Sequence, residues 1–162
     1  MNRTYLNPTW KLLISIIGCE LIGILSGVIS ASGVTAWFLT LRKPSWNPPS
    51  WLFGPVWTIL YCLMGIAWYL IWKSNADTNQ KKTAFRLFAF QLLLNFFWSI
   101  LFFKFHQPFY AFIEIIFMLL AIILTMNSFY AVSKTATWLL VPYLLWVSFA
   151  TFLNFTIWTL NS

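Results

Sequence analysis

Charged residues are scarce in this chain of 162 residues: they make up 8% of it, whereas about 25% is usual in soluble domains. Only three residues are acidic, and 60% of the chain is hydrophobic. Too few polar side chains are present to cover a folded surface in water, which excludes a soluble globular domain. Disordered chains and coiled coils carry far more charge and are excluded as well. We therefore expect an integral membrane protein.

Residues that support conventional catalysis are equally sparse. The chain has one histidine, His106, and two cysteines, Cys19 and Cys62, which both lie inside apolar runs. A single histidine and three scattered acids do not supply a Ser-His-Asp triad, a Cys-His pair or a set of metal ligands. The sequence argues against an ordinary hydrolase, and we expect neither a metal nor a required cofactor.

Long apolar runs are what the chain has in place of polar surface. A membrane-spanning helix needs roughly 20 apolar residues. Five runs reach that length, at about residues 12–31, 51–72, 83–103, 109–130 and 136–160. They predict one all-α transmembrane domain over 1–162, a bundle of five helices. The first run also resembles a signal peptide, but its length and the acidic Glu20 in its middle favour a retained helix.

The basic residues predict an orientation. The chain carries ten Lys and Arg and a net charge of +7, and these cations lie between the apolar runs, which favours membrane topology over nucleic-acid binding. Seven of them, Arg3 included, fall on the side of the amino terminus, and only Arg42, Lys43 and Lys104 fall on the other. We expect a cytoplasmic amino terminus in a bacterial plasma membrane, or a mitochondrial outer membrane if the source is eukaryotic.

Two acids lie within predicted spans, Glu20 in the first and Glu114 in the fourth. A carboxylate in hydrocarbon is costly, so each is expected to face the protein interior or to be protonated. Two interpretations remain for them: a proton-linked or ligand-contacting group, or a buried carboxyl that is hydrogen-bonded for structure.

The first span also has a face of small residues, Gly23, Gly27 and Ser30. Such a face lets two helix backbones approach closely. It suits a dimer and packing within one chain equally well.

Aromatic and amide side chains form stripes at helical spacing. Trp57 and Tyr61 share a face of the second span, Asn95 and Trp98 share one of the third, and Trp146 lies deep in the fifth. Amides in lipid need a partner, and a buried indole N–H seeks one too. Helix packing accounts for such stripes, and so does a shared pocket for a flat aromatic ligand.

The loop between the first two spans, at 32–50, contains three prolines within six residues. Prolines stiffen it and keep it out of helix. Trp37, Trp46 and Trp51 give it apolar surface that must cover something. We predict a rigid Pro/Trp-rich lid over the helix bundle, with Arg42 and Lys43 available to ligand carboxylates.

Four motifs make the sequence recognisable: Lys-Pro-Ser-Trp-Asn-Pro-Pro at 43–49, Gly-Pro-Val-Trp-Thr-Ile-Leu-Tyr at 54–61, the stretch 91–98 with Asn95 and Trp98, and the stretch 141–154 from Val-Pro-Tyr to Asn. In this order and at this spacing, the chain resembles the TspO/MBR family of tryptophan-rich sensory and translocator proteins, which includes the mitochondrial peripheral-type benzodiazepine receptor. The resemblance covers nearly the whole chain.

The resemblance implies a five-helix bundle, usually a homodimer, that binds porphyrins and, in mitochondrial members, cholesterol and drug-like molecules. It also implies ligand contacts for ten residues: Trp37, Trp46, Trp51, Trp57, Tyr61, Asn95, Trp98, Glu114, Trp146 and Ala150. The cholesterol motif of mitochondrial members needs a tyrosine and then a cation near the end of the fifth helix. Here that stretch reads Leu-Asn-Phe-Thr-Ile-Trp at 153–158, with no cation after it, which argues against cholesterol recognition of that kind.

Three functions follow from these observations. The leading one is a membrane receptor or carrier for porphyrins of the protoporphyrin IX type, acting in tetrapyrrole handling or stress signalling. The first alternative is light- and oxygen-dependent porphyrin breakdown, for which the resemblance implicates Trp57 and Trp146, so whether the protein is an enzyme stays open. The second is a regulatory membrane protein that senses lipids or sterols.

Overall fold

The computed structural model describes residues 7–162, so Arg3 of the orientation count lies outside it. Within that range the chain is all-α, with five helices long and apolar enough to cross a membrane: α1 (Pro8–Thr40), α2 (Ser50–Lys73), α3 (Thr78–Lys104), α4 (Pro108–Tyr130) and α5 (Lys134–Asn161). A single turn at Leu140 interrupts α5 just before Pro142. The predicted bundle of five spanning helices is confirmed.

The first helix is longer than the sequence predicts. It was expected to end at residue 31, but it continues through a π-helical turn, Gly33–Trp37, to Thr40. Hydroxyls in this stretch bond back to the helix, as where Thr35 donates to the carbonyl of Ala31 at 2.9 Å. The connecting loop is therefore only 41–49, and the placement of Trp37 in the lid loop was wrong because that residue is helical.

The third helix is extended at both ends. It begins at Thr78 because the Asp77 side chain caps it, accepting from the backbone N–H of Asn79 at 2.8 Å. It ends in a second π-helical turn, Ile100–Lys104, which packs against the one in α1. The two turns approach each other so closely that a side chain at Gly33 would overlap the backbone carbonyl of Phe103. The hydroxyl of Ser30 is also 3.2 Å from both the Oγ and the carbonyl oxygen of Ser99.

Helices α1 and α2 pack against each other over an extensive contact. A Cβ added at Gly65 would lie 2.5 Å from the Cα of Ile16, so only glycine permits this approach. Helices α3, α4 and α5 pack as neighbours, as the short connections between them predict. Together these contacts leave a space between α1 and the rest of the bundle toward the lid loop.

Candidate ligand-binding site

A cavity of about 490 Å³ lies between α1, α2, α3 and α5. That volume falls within the roughly 300–1,000 Å³ of small-molecule sites. Ten of the lining residues come from α1, in the range 20–38, and six from α2, in the range 50–61. The remaining six are Asn95, Trp98, Ser99 and Phe103 of α3, and Trp146 and Ala150 of α5. The mostly apolar, aromatic lining is typical of a site for a flat apolar ligand.

Three tryptophans lie on the wall of this cavity, and they differ in their hydrogen bonding. The indole N–H of Trp98 donates to Oδ1 of Asn154 at 3.0 Å, which fixes that ring. No comparable bond within residues 7–162 holds the indole N–H of Trp57 or of Trp146. The Trp146 ring packs edge-on against Phe53, with centroids 5.9 Å apart. Two half-buried indoles therefore keep donors that a bound ligand can use.

A buried hydrogen-bonded chain supports the inner end of the cavity. The hydroxyl of Tyr61 donates to Oδ1 of Asn95 at 2.5 Å, and the Asn95 amide donates to the Tyr143 hydroxyl at 3.1 Å. The Tyr143 hydroxyl in turn lies 3.5 Å from the sulfur of Met118. All three polar residues are at most 4% exposed. Because each donor has an acceptor, the chain holds Tyr61 and Asn95 in one arrangement at the cavity wall.

Known proteins resemble this chain over most of its length. Residues 15–159 match the TspO/MBR family. The "Tryptophan-rich protein TspO" of Chlorobaculum tepidum is 45% identical over 88% of this chain and 90% of its own. The protein of the same name from Archaeoglobus fulgidus is 44% identical over 94% of this chain and 97% of its own. The human "Translocator protein" is 40% identical over 77% of this chain and 75% of its own.

The chain belongs to the TspO/MBR family. Every residue that lines the cavity, from Glu20 to Ala150, falls within the part that matches the family. Membership and the five spanning helices together make it an integral membrane protein.

The structure brings together six of the ten residues that the resemblance implied: Trp57, Tyr61, Asn95, Trp98, Trp146 and Ala150 all line the cavity. Trp37, Trp46 and Trp51 do not. Trp37 stacks on His106, with centroids 4.5 Å apart, Trp46 packs against Phe149, and Trp51 is 72% exposed. A direct ligand contact by these three residues stays a prediction.

The two basic residues of the lid loop are both tied down, Lys43 through its ammonium group and Arg42 through its backbone. Nζ of Lys43 donates to the carbonyl oxygens of Phe38 and Leu41, at 2.6 and 3.1 Å. The backbone of Arg42 is tied to the Asn161 side chain through two bonds of 2.9 Å. These bonds anchor the loop to the ends of α1 and α5, and neither cation lines the cavity.

The two intramembrane acids lie in different surroundings. Glu20 is part of the cavity lining. Glu114 is outside it, on α4, and both of its carboxyl oxygens are buried without a hydrogen-bond partner among the described residues. The interpretation of Glu114 as a carboxyl that is hydrogen-bonded for structure therefore has no support among the described residues.

Sequence reasoning missed the wall that α1 contributes. Gly23, Ser26, Gly27 and Ser30 all line the cavity. A side chain at Gly23 would run into the ring of Tyr61, whereas one at Gly27 would meet nothing within 4 Å. The small-residue face was therefore a usable signal: in this structure it serves packing within the chain and leaves the cavity open.

Proposed function

We propose that the protein is a membrane receptor or carrier that binds a porphyrin in the cavity between α1, α2, α3 and α5. The observation that carries the proposal is the pair of indoles, Trp57 and Trp146, which line the cavity with their N–H groups unpaired within the described residues. A porphyrin is a flat aromatic ring with carboxylate side chains. Ring stacking and apolar burial supply affinity, and the two N–H donors supply orientation.

The proposal includes the setting of the receptor. Six basic residues of the described range lie at the end of the bundle where α1 begins, and only Arg42, Lys43 and Lys104 lie at the other. This bias supports a cytoplasmic amino terminus in a bacterial plasma membrane. A homodimer is also proposed; because Gly23 and Gly27 face the cavity, its interface would use another surface.

The double variant Trp57→Phe/Trp146→Phe tests the proposal. It keeps two aromatic rings but removes both N–H donors, each contributing about 0.5–1.5 kcal/mol, so protoporphyrin affinity should fall about 5- to 150-fold. Binding is measured in the dark with full-length protein in lipid nanodiscs, from the change in porphyrin absorbance on titration. The matched control is Trp10→Phe/Trp138→Phe, since those rings are 60% and 70% exposed and lie outside the cavity.

Unchanged affinity in the double variant would remove the indole donors from the proposal. Binding of the wild type that never saturates above empty nanodiscs would reject the porphyrin receptor and leave lipid sensing as the function.

A second candidate function is light-dependent porphyrin breakdown, favoured by a group of oxidisable rings at the cavity. The Trp57 ring lies 5.5 Å from that of Tyr61 and 6.3 Å from that of Tyr143, centroid to centroid. A light-excited porphyrin takes an electron from an indole and passes it to dioxygen, which becomes superoxide. The indole radical cation then recovers its electron from the porphyrin, and the porphyrin radical cation combines with superoxide, so that both oxygen atoms enter the macrocycle and open it. Tyr61 and Tyr143 extend the group of oxidisable rings beside Trp57.

Illumination of the porphyrin complex with and without oxygen separates this candidate from simple binding. If breakdown operates, the porphyrin absorbance band should be lost in air and retained under argon, and the loss should stop in Trp57→Phe/Trp146→Phe at saturating porphyrin. The Trp10→Phe/Trp138→Phe protein should behave as wild type. Equal loss with and without oxygen would argue against an oxygen-dependent reaction.

A further inference from the structure

A second recess, separate from the cavity, lies on another face of α1. It is a groove of about 440 Å³ between α1, α2 and α3. Its lining contains no charged, hydroxyl or amide side chain and consists of Gly18, Ile22, Leu25, Trp68, Phe85, Phe88, Ala89, Leu92, Leu93 and Phe96. A groove with this apolar lining, at membrane depth, is complementary to a hydrocarbon chain.

The groove leads toward cations on α3. Lys82 precedes Phe85 by three residues and Ala89 by seven, which places it on the groove face of that helix. Arg86 precedes Ala89 by three residues and Leu93 by seven, which places it along the edge of the groove that Leu93 forms. Both cations are exposed. From Phe85 to Phe96 the helix rises about 16 Å, at 1.5 Å per residue. One half of a hydrocarbon layer about 30 Å thick has nearly the same depth.

A third cation approaches the same end from α1. Helices α1 and α3 run in the same direction because α2 alone connects back between them, so their first turns lie on one side of the membrane. Lys11 precedes Gly18 by seven residues, which places it on the groove face of α1. Its Nζ is 5.6 Å from the ring centroid of Trp72, which stacks on Trp68 of the groove.

Only one acidic side chain lies at the same end of the bundle as these three cations. Of the three acids in the chain, Glu20 and Glu114 lie within spanning helices. Asp77 is the third, and it caps α3 through the N–H of Asn79. The end of the groove is thus positive, while its length is apolar.

We propose that this groove binds an anionic phospholipid, with one acyl chain along α1 and α3 and the phosphate at Lys82, Arg86 and Lys11. The occupant must combine a hydrocarbon chain as long as one leaflet with a negative head group, because the groove offers an apolar surface along its length and cations at its end. Each basic residue beside a spanning helix raises the affinity for an anionic lipid about fivefold. The site is independent of the porphyrin cavity, because the two share no lining residue.

The test uses native mass spectrometry of the full-length protein in detergent, titrated with phosphatidylglycerol and phosphatidylcholine of identical acyl chains. We expect tighter binding of phosphatidylglycerol, and about a 30-fold loss of that binding in Lys82→Gln/Arg86→Gln with phosphatidylcholine unchanged. The matched control is Lys73→Gln/Lys134→Gln. It removes the same charge at the same end of the bundle but lies outside the groove.

A second variant tests the groove without changing charge. Ala89→Trp fills the groove from α3 and should weaken the binding of both phospholipids. In the wild type, free glycerol phosphate should not displace phosphatidylglycerol, because it lacks the acyl chain that occupies the groove. Equal weakening by the two charge variants would overturn the proposal in favour of general surface attraction. Equal binding of both lipids to the wild type, or unaltered lipid binding in Ala89→Trp, would also overturn it.

Discussion

Replacing Ala150 with tryptophan is expected to lower protoporphyrin affinity by about 100-fold or more. Ala150 lines the cavity from α5, one turn beyond Trp146. A tryptophan side chain there would occupy the space between the existing indoles. If about 100 Å² of ligand contact is displaced, roughly 25 cal/mol per Å² corresponds to about 2.5 kcal/mol, close to a factor of 100 in the dissociation constant.

The control for this substitution lies on the same helix. Leu145 is 64% exposed and outside the cavity, so Leu145→Trp adds the same ring to α5 without filling the cavity. Both variants are titrated in nanodiscs in the dark, and thermal unfolding in detergent shows whether each remains folded. A folded Ala150→Trp protein with wild-type affinity would place the porphyrin somewhere other than the cavity.

The fold was predictable because a bilayer permits few solutions. An apolar run of about 20 residues must satisfy its own backbone groups, and within one helical segment it does so as a helix. The ends were less predictable. The polar run from Ser30 to Thr35 has the composition of a loop, yet its hydroxyls bond to helix carbonyls and to Ser99. Such bonds depend on the helix that lies opposite, which a local pattern does not reveal.

The candidate site was predictable where large or polar side chains mark it. Trp57, Asn95 and Trp146 stand out in apolar helices, because amides and indoles there need partners or a cavity. The contribution of α1 was not predictable in the same way. Gly23 and Gly27 have the same side chain, but one faces the Tyr61 ring and the other open space. The difference comes from what lies across from each glycine.

The lid loop illustrates a different limit. Its prolines correctly predict irregular backbone, since 41–49 is the only part between α1 and α2 outside helices. Its path is set by distant contacts, as where the Asn161 side chain binds the backbone of Arg42. Sequence alone gives no measure of such contacts. They leave Trp46 against Phe149 rather than in the cavity lining.

Replacing Gly65 with alanine is expected to destabilise the bundle by about 1–3 kcal/mol, the usual cost of overpacking a close contact. The new methyl group would lie 2.5 Å from Cα and 2.9 Å from the backbone N of Ile16. Because both neighbours are backbone atoms, no side chain can turn aside, and α1 must move away from α2. The same movement would shift the α1 wall of the cavity, which begins at Glu20.

Gly27→Ala is the matched control, since it makes the same chemical change in a spanning helix where the methyl group meets nothing within 4 Å. Alanine favours helix over glycine by about 1 kcal/mol, so this variant should be as stable as the wild type or slightly more so. Unfolding by sodium dodecyl sulfate in mixed micelles, followed by circular dichroism, measures both. Equal stability of the two variants would mean that α1 and α2 are not held by the Gly65 contact, and that the width of the cavity is set elsewhere in the bundle.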